Sequence, residues 1–182
     1  NPRRAGEGER LSDEPDVVRF AKLFTPAECD YLMRATGNAF EPSMVYDSTR
    51  RLVRDEIRTS DGATIHWLIE DPAVVALNRR VAAVSGSAYE DGEALALLRY
   101  SPGQEYRPHF DFVGGVSNRR LQTALIYLND GYQGGETQFV RTGLTDLFAE
   151  TWPRRLLAAL FDERTDRLRA DMAVLYAGDR PV

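Results

Sequence analysis

The residues in this chain best suited to chemistry are His109 and Asp111, with Phe110 between them. On an extended strand, positions i and i+2 point to the same face. An imidazole nitrogen and a carboxylate oxygen at that spacing converge on one point. That pair is two-thirds of the 2-His-1-carboxylate facial arrangement, which holds non-haem Fe(II) and leaves positions open for a cosubstrate and oxygen. The bland reading of an isolated histidine is a packed or surface side chain, so the pair must be weighed with its flanks.

The flanks supply the elements that would position it. Tyr100-Ser101-Pro102-Gly103 is a strand end followed by turn residues. Pro108 fixes its own φ and removes a backbone donor immediately before His109. Leu121 to Asn129 alternates as a strand, with Thr123, Leu125 and Tyr127 on one face and Gln122, Ala124, Ile126 and Leu128 on the other. Gly134-Gly135-Glu136-Thr137 reads as a tight turn into a further short strand.

The segments RYSPGQEYRPHFD, RLQTALIYLND and GGETQF, in this order and spacing, closely resemble the prolyl 4-hydroxylase-like branch of the 2-oxoglutarate and Fe(II)-dependent oxygenases. The likeness runs upstream through TRRLVRDEIRTSDGATI and DPAVVALNRRV, covering residues 17 to 143. It implies a mainly β fold with flanking helices, a double-stranded β-helix (jelly-roll) core. It also implies oxidative decarboxylation of 2-oxoglutarate coupled to hydroxylation of a C–H bond, here in a prolyl or other amino-acid or peptide substrate. His109 and Asp111 match the family's proximal metal ligands. Tyr100 and Tyr127 match positions lining the 2-oxoglutarate pocket, and Thr123 shares the strand face of Tyr127 and is placed there too. Fe(II) and 2-oxoglutarate are the implied cofactor and cosubstrate, with ascorbate as a reductant.

The family pattern also needs a late histidine in a motif like HAGxPV, followed by a basic residue. This chain has two histidines, and the other, His66, lies upstream and reads as an ordinary surface or packing residue. The sequence Tyr176-Ala177-Gly178-Asp179-Arg180-Pro181-Val182 resembles the late motif with Tyr176 in the histidine's place. A phenol must lose its proton to bind a metal, and the resulting hard anion favours Fe(III) over Fe(II). Three readings stay open: a substitute ligand, an altered or trimmed end, or a jelly-roll that binds a ligand or partner without chemistry.

Composition sets the bounds. The chain has 182 residues, 43% of them hydrophobic, enough for one domain with a full core. Net charge is −5, and no basic stripe with interleaved aromatics points to nucleic acid. No apolar run approaches the ~18 residues of a membrane span. The single cysteine, Cys29, excludes an intrachain disulfide, fits a cytoplasmic, reducing setting, and reads as a small buried side chain.

Residues 1 to 16 are expected to form a loose terminal arm, with one domain over 17 to 182 whose part from 144 is atypical or truncated. A strand is expected over Val17 to Phe24. Thr25-Pro26-Ala27-Glu28 starts a helix by cap, proline and capping box, and Gly37 ends it. Asp71-Pro72 starts a second helix that Gly86 ends, with an apolar stripe of Val74, Leu77, Val81 and Val84. Residues 93 to 100 read as a strand apolar on both faces. Residues 41 to 60 carry eight charges and read as a solvated loop or edge hairpin, or as a lid over substrate. Arg119 and Arg120 are candidates for the pocket mouth. Between 144 and 170 two signals conflict. Phe148, Trp152, Leu156 and Leu160 have helical spacing, while the resemblance requires a strand near Leu156 to Phe161; the strand is the expectation, because a jelly-roll cannot close without it.

Overall fold

The computed structural model describes residues 8–13, 16–109, 111, 119–129, 132, 137, 157–162 and 173–179. In chain order the strands and helices are β1 (Glu9–Asp13), β2 (Asp16–Ala21), α1 (Pro26–Thr36), β3 (Glu41–Pro42), β4 (Val45–Tyr46), β5 (Leu52–Val53), β6 (Asp61–Ile65), α2 (Pro72–Ser85), β7 (Leu95–Arg99), β8 (Arg119–Ile126), β9 (Leu157–Asp162) and β10 (Ala173–Asp179). Among the described residues, eight strands form one sheet in the order β1-β2-β9-β8-β10-β7-β6-β3, and β4 and β5 form a separate hairpin. Every strand pairing among the described residues is antiparallel.

The helices begin and end where their local chemistry dictates. Thr25 and Glu28 close a reciprocal capping box, so two otherwise orphaned backbone N–H groups are satisfied. The Asp71 carboxylate accepts from the N–H groups of Ala73 and Val74, and Gly86 ends α2 in the left-handed region at φ 72°. Arg80 from α2 donates to both carboxylate oxygens of Glu28, at 3.0 and 2.9 Å, and to the Leu23 carbonyl. One guanidinium thereby ties the second helix to the cap of the first.

The two helices pack on one face of the sheet. Leu32 of α1 and Val74, Leu77 and Val81 of α2 share a core with Leu95 and Leu97 of β7 and Ala124 and Ile126 of β8. The alternating neighbours on β7, Ala96 and Leu98, face a cavity on the other side. The double apolar face of this strand therefore serves two different environments, core and cavity. Cys29 is buried in the core, and burial together with the nearby Glu28 and Asp30 charges pushes its thiol up to about 12. That leaves it protonated and inert, as its helical position implies.

One expectation is corrected, and one conflict between signals is resolved. The arm expected over residues 1 to 16 contains β1, whose residues pair with β2 from Glu9↔Arg19 to Asp13↔Asp16. Glu9-Arg10-Leu11-Ser12-Asp13 lacks the apolar alternation that marks a half-buried strand, and its order comes from the ladder and from ion pairs such as Arg19–Glu9. The strand expected near Leu156 to Phe161 is present as β9, Leu157–Asp162, which fills the place between β2 and β8. Backbone pairing on both sides outweighs a local i, i+4 pattern there. Phe148, Trp152 and Leu156 lie outside the described residues.

Arg80 beside Glu28 holds that carboxyl down to about 2 from its ordinary 4.5, against the opposing effect of burial. A carboxylate with a depressed native pKa stabilises the fold above its unfolded pKa and loses that effect as pH falls through the native value. Glu28→Gln is expected to destabilise the protein at neutral pH. The parent and variant stabilities should converge between pH 4.5 and about 2 in denaturant titrations.

Candidate metal centre and cavity

His109 and Asp111 do converge. Nε2 of His109 lies 3.2 Å from Oδ1 of Asp111, and the two side chains are 8% and 12% exposed. Two cis ligands each about 2.1 Å from a divalent cation stand about 3 Å apart, so the pair fits two neighbouring corners of one coordination sphere. The other ring nitrogen, Nδ1, is 2.8 Å from the Arg107 carbonyl oxygen and can only donate to it. That contact fixes the proton on Nδ1 and leaves the Nε2 lone pair facing Asp111.

Three further contacts steady His109. The Tyr106 ring stacks on the His109 imidazole, with centroids 3.4 Å apart and planes 11° from parallel. Arg58 covers the Tyr106 ring at 4.7 Å. The segment carrying Tyr106 is itself pinned by Arg107 N–H donating to the Ile57 carbonyl. Burial pushes the Tyr106 phenol up despite the opposing Arg58 charge, so it stays protonated.

Asp111 is held by β8. Thr123 Oγ1 donates to Asp111 Oδ2 at 2.9 Å, and Arg120 Nη1 donates to the Asp111 carbonyl at 3.0 Å. Strict alternation would send Arg120 and Thr123 to opposite faces, because they are three residues apart. The β8–β10 register breaks that alternation: Gln122 pairs with Ala177, and Arg120 with Gly178. Leu121 is the extra residue of a β-bulge, and the parity change brings both side chains to Asp111. The Arg120 guanidinium is held in turn by Glu93, through contacts of 2.7 and 2.9 Å to its two oxygens.

The pair lies on the wall of a cavity of about 810 Å³. The sheet supplies Thr64, Ala96 and Leu98, and the β4–β5 hairpin supplies Val45, Tyr46 and Leu52 as the facing wall. The charged stretch over residues 41 to 60 thus contains a hairpin that borders the cavity. Asp47 organises its turn, accepting from the N–H groups of Thr49 and Arg51 and from the Thr49 hydroxyl.

The remaining candidates are placed as follows. Arg120 lines the cavity, and Arg119 begins β8. His66 borders the cavity too, but its Nδ1 accepts from Leu68 N–H at the start of a short 3₁₀ turn. Tyr127 exchanges a hydrogen bond with Thr137 at 2.8 Å, and Tyr100 is half-buried just beyond β7. Tyr176 stands opposite Thr123 in the β8–β10 ladder. Among the described residues no cluster of three His, Cys, Asp or Glu side chains could hold a metal. Sequence reasoning did not single out Tyr106, Arg58 or Glu93 for the site. The only available signal was Tyr106 lying three residues before His109.

The family model of the 2OG-Fe(II) oxygenase superfamily matches residues 95–179, which include both members of the pair. Prolyl 4-hydroxylase 1 of Arabidopsis thaliana is 34% identical over 142 residues, covering 74% of this chain and 50% of that protein. The chain belongs to the prolyl 4-hydroxylase-like 2-oxoglutarate/Fe(II) oxygenases. It spans about half the length of the curated plant relatives it matches. In fold, this oxygenase-family chain is similar to viral collagen prolyl hydroxylase from Paramecium Bursaria Chlorella virus-1, solved as its 2OG complex. The TM-score is 0.61 at 18% identity, covering 92% of this chain and 97% of that one. A Pseudomonas putida prolyl-4-hydroxylase gives a TM-score of 0.60 at 18% identity, over 91% and 93% of the two chains. The fold is the jelly-roll, and β7, β8, β9 and β10 are adjacent strands of its sheet. No helix among the described residues is long and apolar enough to cross a membrane.

The Glu93–Arg120 fork makes a direct prediction. Lysine keeps the charge at 120 but cannot span both carboxylate oxygens and the Asp111 carbonyl. Arg120→Lys is expected to cost about 1–2 kcal/mol in urea unfolding. The double variant with Glu93→Gln should lose little more than either single change, because the two act as one unit.

Proposed function

We propose that this chain is an Fe(II)- and 2-oxoglutarate-dependent dioxygenase that hydroxylates a prolyl or other amino-acid or peptide C–H bond and releases succinate and carbon dioxide. The observation that carries this reading is the 3.2 Å approach of His109 Nε2 to Asp111 Oδ1 on the cavity wall. Fe(II), when bound with 2-oxoglutarate and oxygen, supplies the oxidising power for the C–H bond.

The chain's own residues supply position and shielding. His109 offers Nε2 because Arg107 accepts its Nδ1 proton. Asp111 offers Oδ1 and brings a negative charge that suits a divalent cation. Tyr100 and Tyr127 are the proposed hydrogen-bond donors to 2-oxoglutarate, with Thr123 on the same side of β8. The β4–β5 hairpin and the sheet restrict water around the substrate. A cavity of about 810 Å³ accommodates an amino acid, a small molecule or a short stretch of peptide. Ascorbate is the proposed reductant that restores Fe(II).

Tyr176 is proposed for the third ligand position, which its register opposite Thr123 supports. A phenol there must give up its proton before it binds, so metal is held more weakly than by a third imidazole. That residue also favours a second reading, a jelly-roll that binds a ligand or partner without chemistry.

Anaerobic loading with Fe(II) and 2-oxoglutarate followed by oxygen separates the two readings. The dioxygenase releases succinate on oxygenation, and Asp111→Ala abolishes the release. Tyr176→His is expected to tighten Fe(II) binding by ~10-fold or more. No succinate from the parent chain, or equal succinate from Asp111→Ala, contradicts the proposal.

A further inference from the structure

Asp111 lies in no strand or helix, so its own backbone does not fix its carboxylate. A carboxylate on such a segment can rotate about two side-chain torsions and offer either oxygen to the His109 side. The structure shows one oxygen engaged elsewhere. Oδ2 accepts from Thr123 Oγ1 at 2.9 Å, while Oδ1 faces His109 Nε2 at 3.2 Å.

The donor is unusually well anchored. Thr123 lies within β8, which is paired on both sides, with Phe161 of β9 and Tyr176 of β10 as its ladder partners. Its residue is 4% exposed, so water does not compete for the hydroxyl. A β-branched side chain has restricted χ1, which holds the hydroxyl in one direction. A carboxylate oxygen can only accept, so the Thr123 proton is committed to Oδ2.

We propose that Thr123 is a positioning residue for the metal site: its hydroxyl fixes the Asp111 carboxylate so that Oδ1 alone is presented beside His109 to a divalent cation. This rests on the reading of His109 and Asp111 as metal ligands. It gives Thr123 a task distinct from contacting 2-oxoglutarate. Outer partners of this kind typically change metal affinity by ~10–100-fold when removed.

The test is Mn(II) binding to the intact chain, followed by the electron paramagnetic resonance signal of free Mn(II), with no substrate and no turnover. Thr123→Val keeps the shape and removes the hydroxyl. It is expected to weaken Mn(II) binding ~10-fold or more, and Thr123→Ser should restore affinity to within about threefold of the parent. Thermal unfolding of the metal-free proteins should show the serine variant as the less stable or equal of the two, since it loses a buried methyl group. Affinity would then follow the hydroxyl and not stability. If the parent binds Mn(II) and Thr123→Val binds it equally well, the positioning role is overturned while the metal site stands. If Thr123→Ser binds as weakly as Thr123→Val, a general packing effect replaces the proposal. If the parent itself binds no Mn(II), the metal-site reading fails and this inference with it.

Discussion

A β-strand has two faces, and the central strands of this sheet give each face a different neighbour. On β8, Ala124 and Ile126 enter the helix-covered core, while Thr123 turns to Asp111. On β7, Leu95 and Leu97 enter the same core, while Ala96 and Leu98 border the cavity. The helices thus stabilise the sheet from the side away from the chemistry. The opposite side remains open for a cavity whose wall cannot drift, because it is the back of a packed core.

The bulge at Leu121 is the one departure from alternation that the site exploits. Without it, Arg120 and Thr123 would part company across the sheet. With it, one strand reaches both the main-chain carbonyl and the carboxylate of Asp111. His109 is steadied from the other direction, by the Arg107 carbonyl and the Tyr106 ring backed by Arg58. The two candidate ligands lie two residues apart but depend on separate supports, Asp111 on β8 and His109 on the Tyr106–Arg107 segment after β7, which Arg58 backs.

Much of this was legible locally. The caps of α1 and α2 are written in four or five consecutive residues each, and the structure places the helix boundaries within a residue or so of those signals. The faces of β8 follow from period-two alternation as far as Ala124, Ile126 and Thr123 are concerned. What could not be read depends on pairing between distant segments. The Thr123–Asp111 contact needs the register of β8, and β1 has no apolar pattern of its own. Tyr106 drew no special notice because stacking on an imidazole leaves no periodic trace in sequence.

The central claim is that His109 and Asp111 grip one divalent cation. Electron spin-echo envelope modulation of the Mn(II)-loaded protein tests it most directly, because a coordinated imidazole couples its nitrogen to the metal spin. The account predicts a nitrogen modulation that disappears in His109→Ala. A Mn(II)-loaded parent with no nitrogen modulation, or a modulation that survives in His109→Ala, would contradict it.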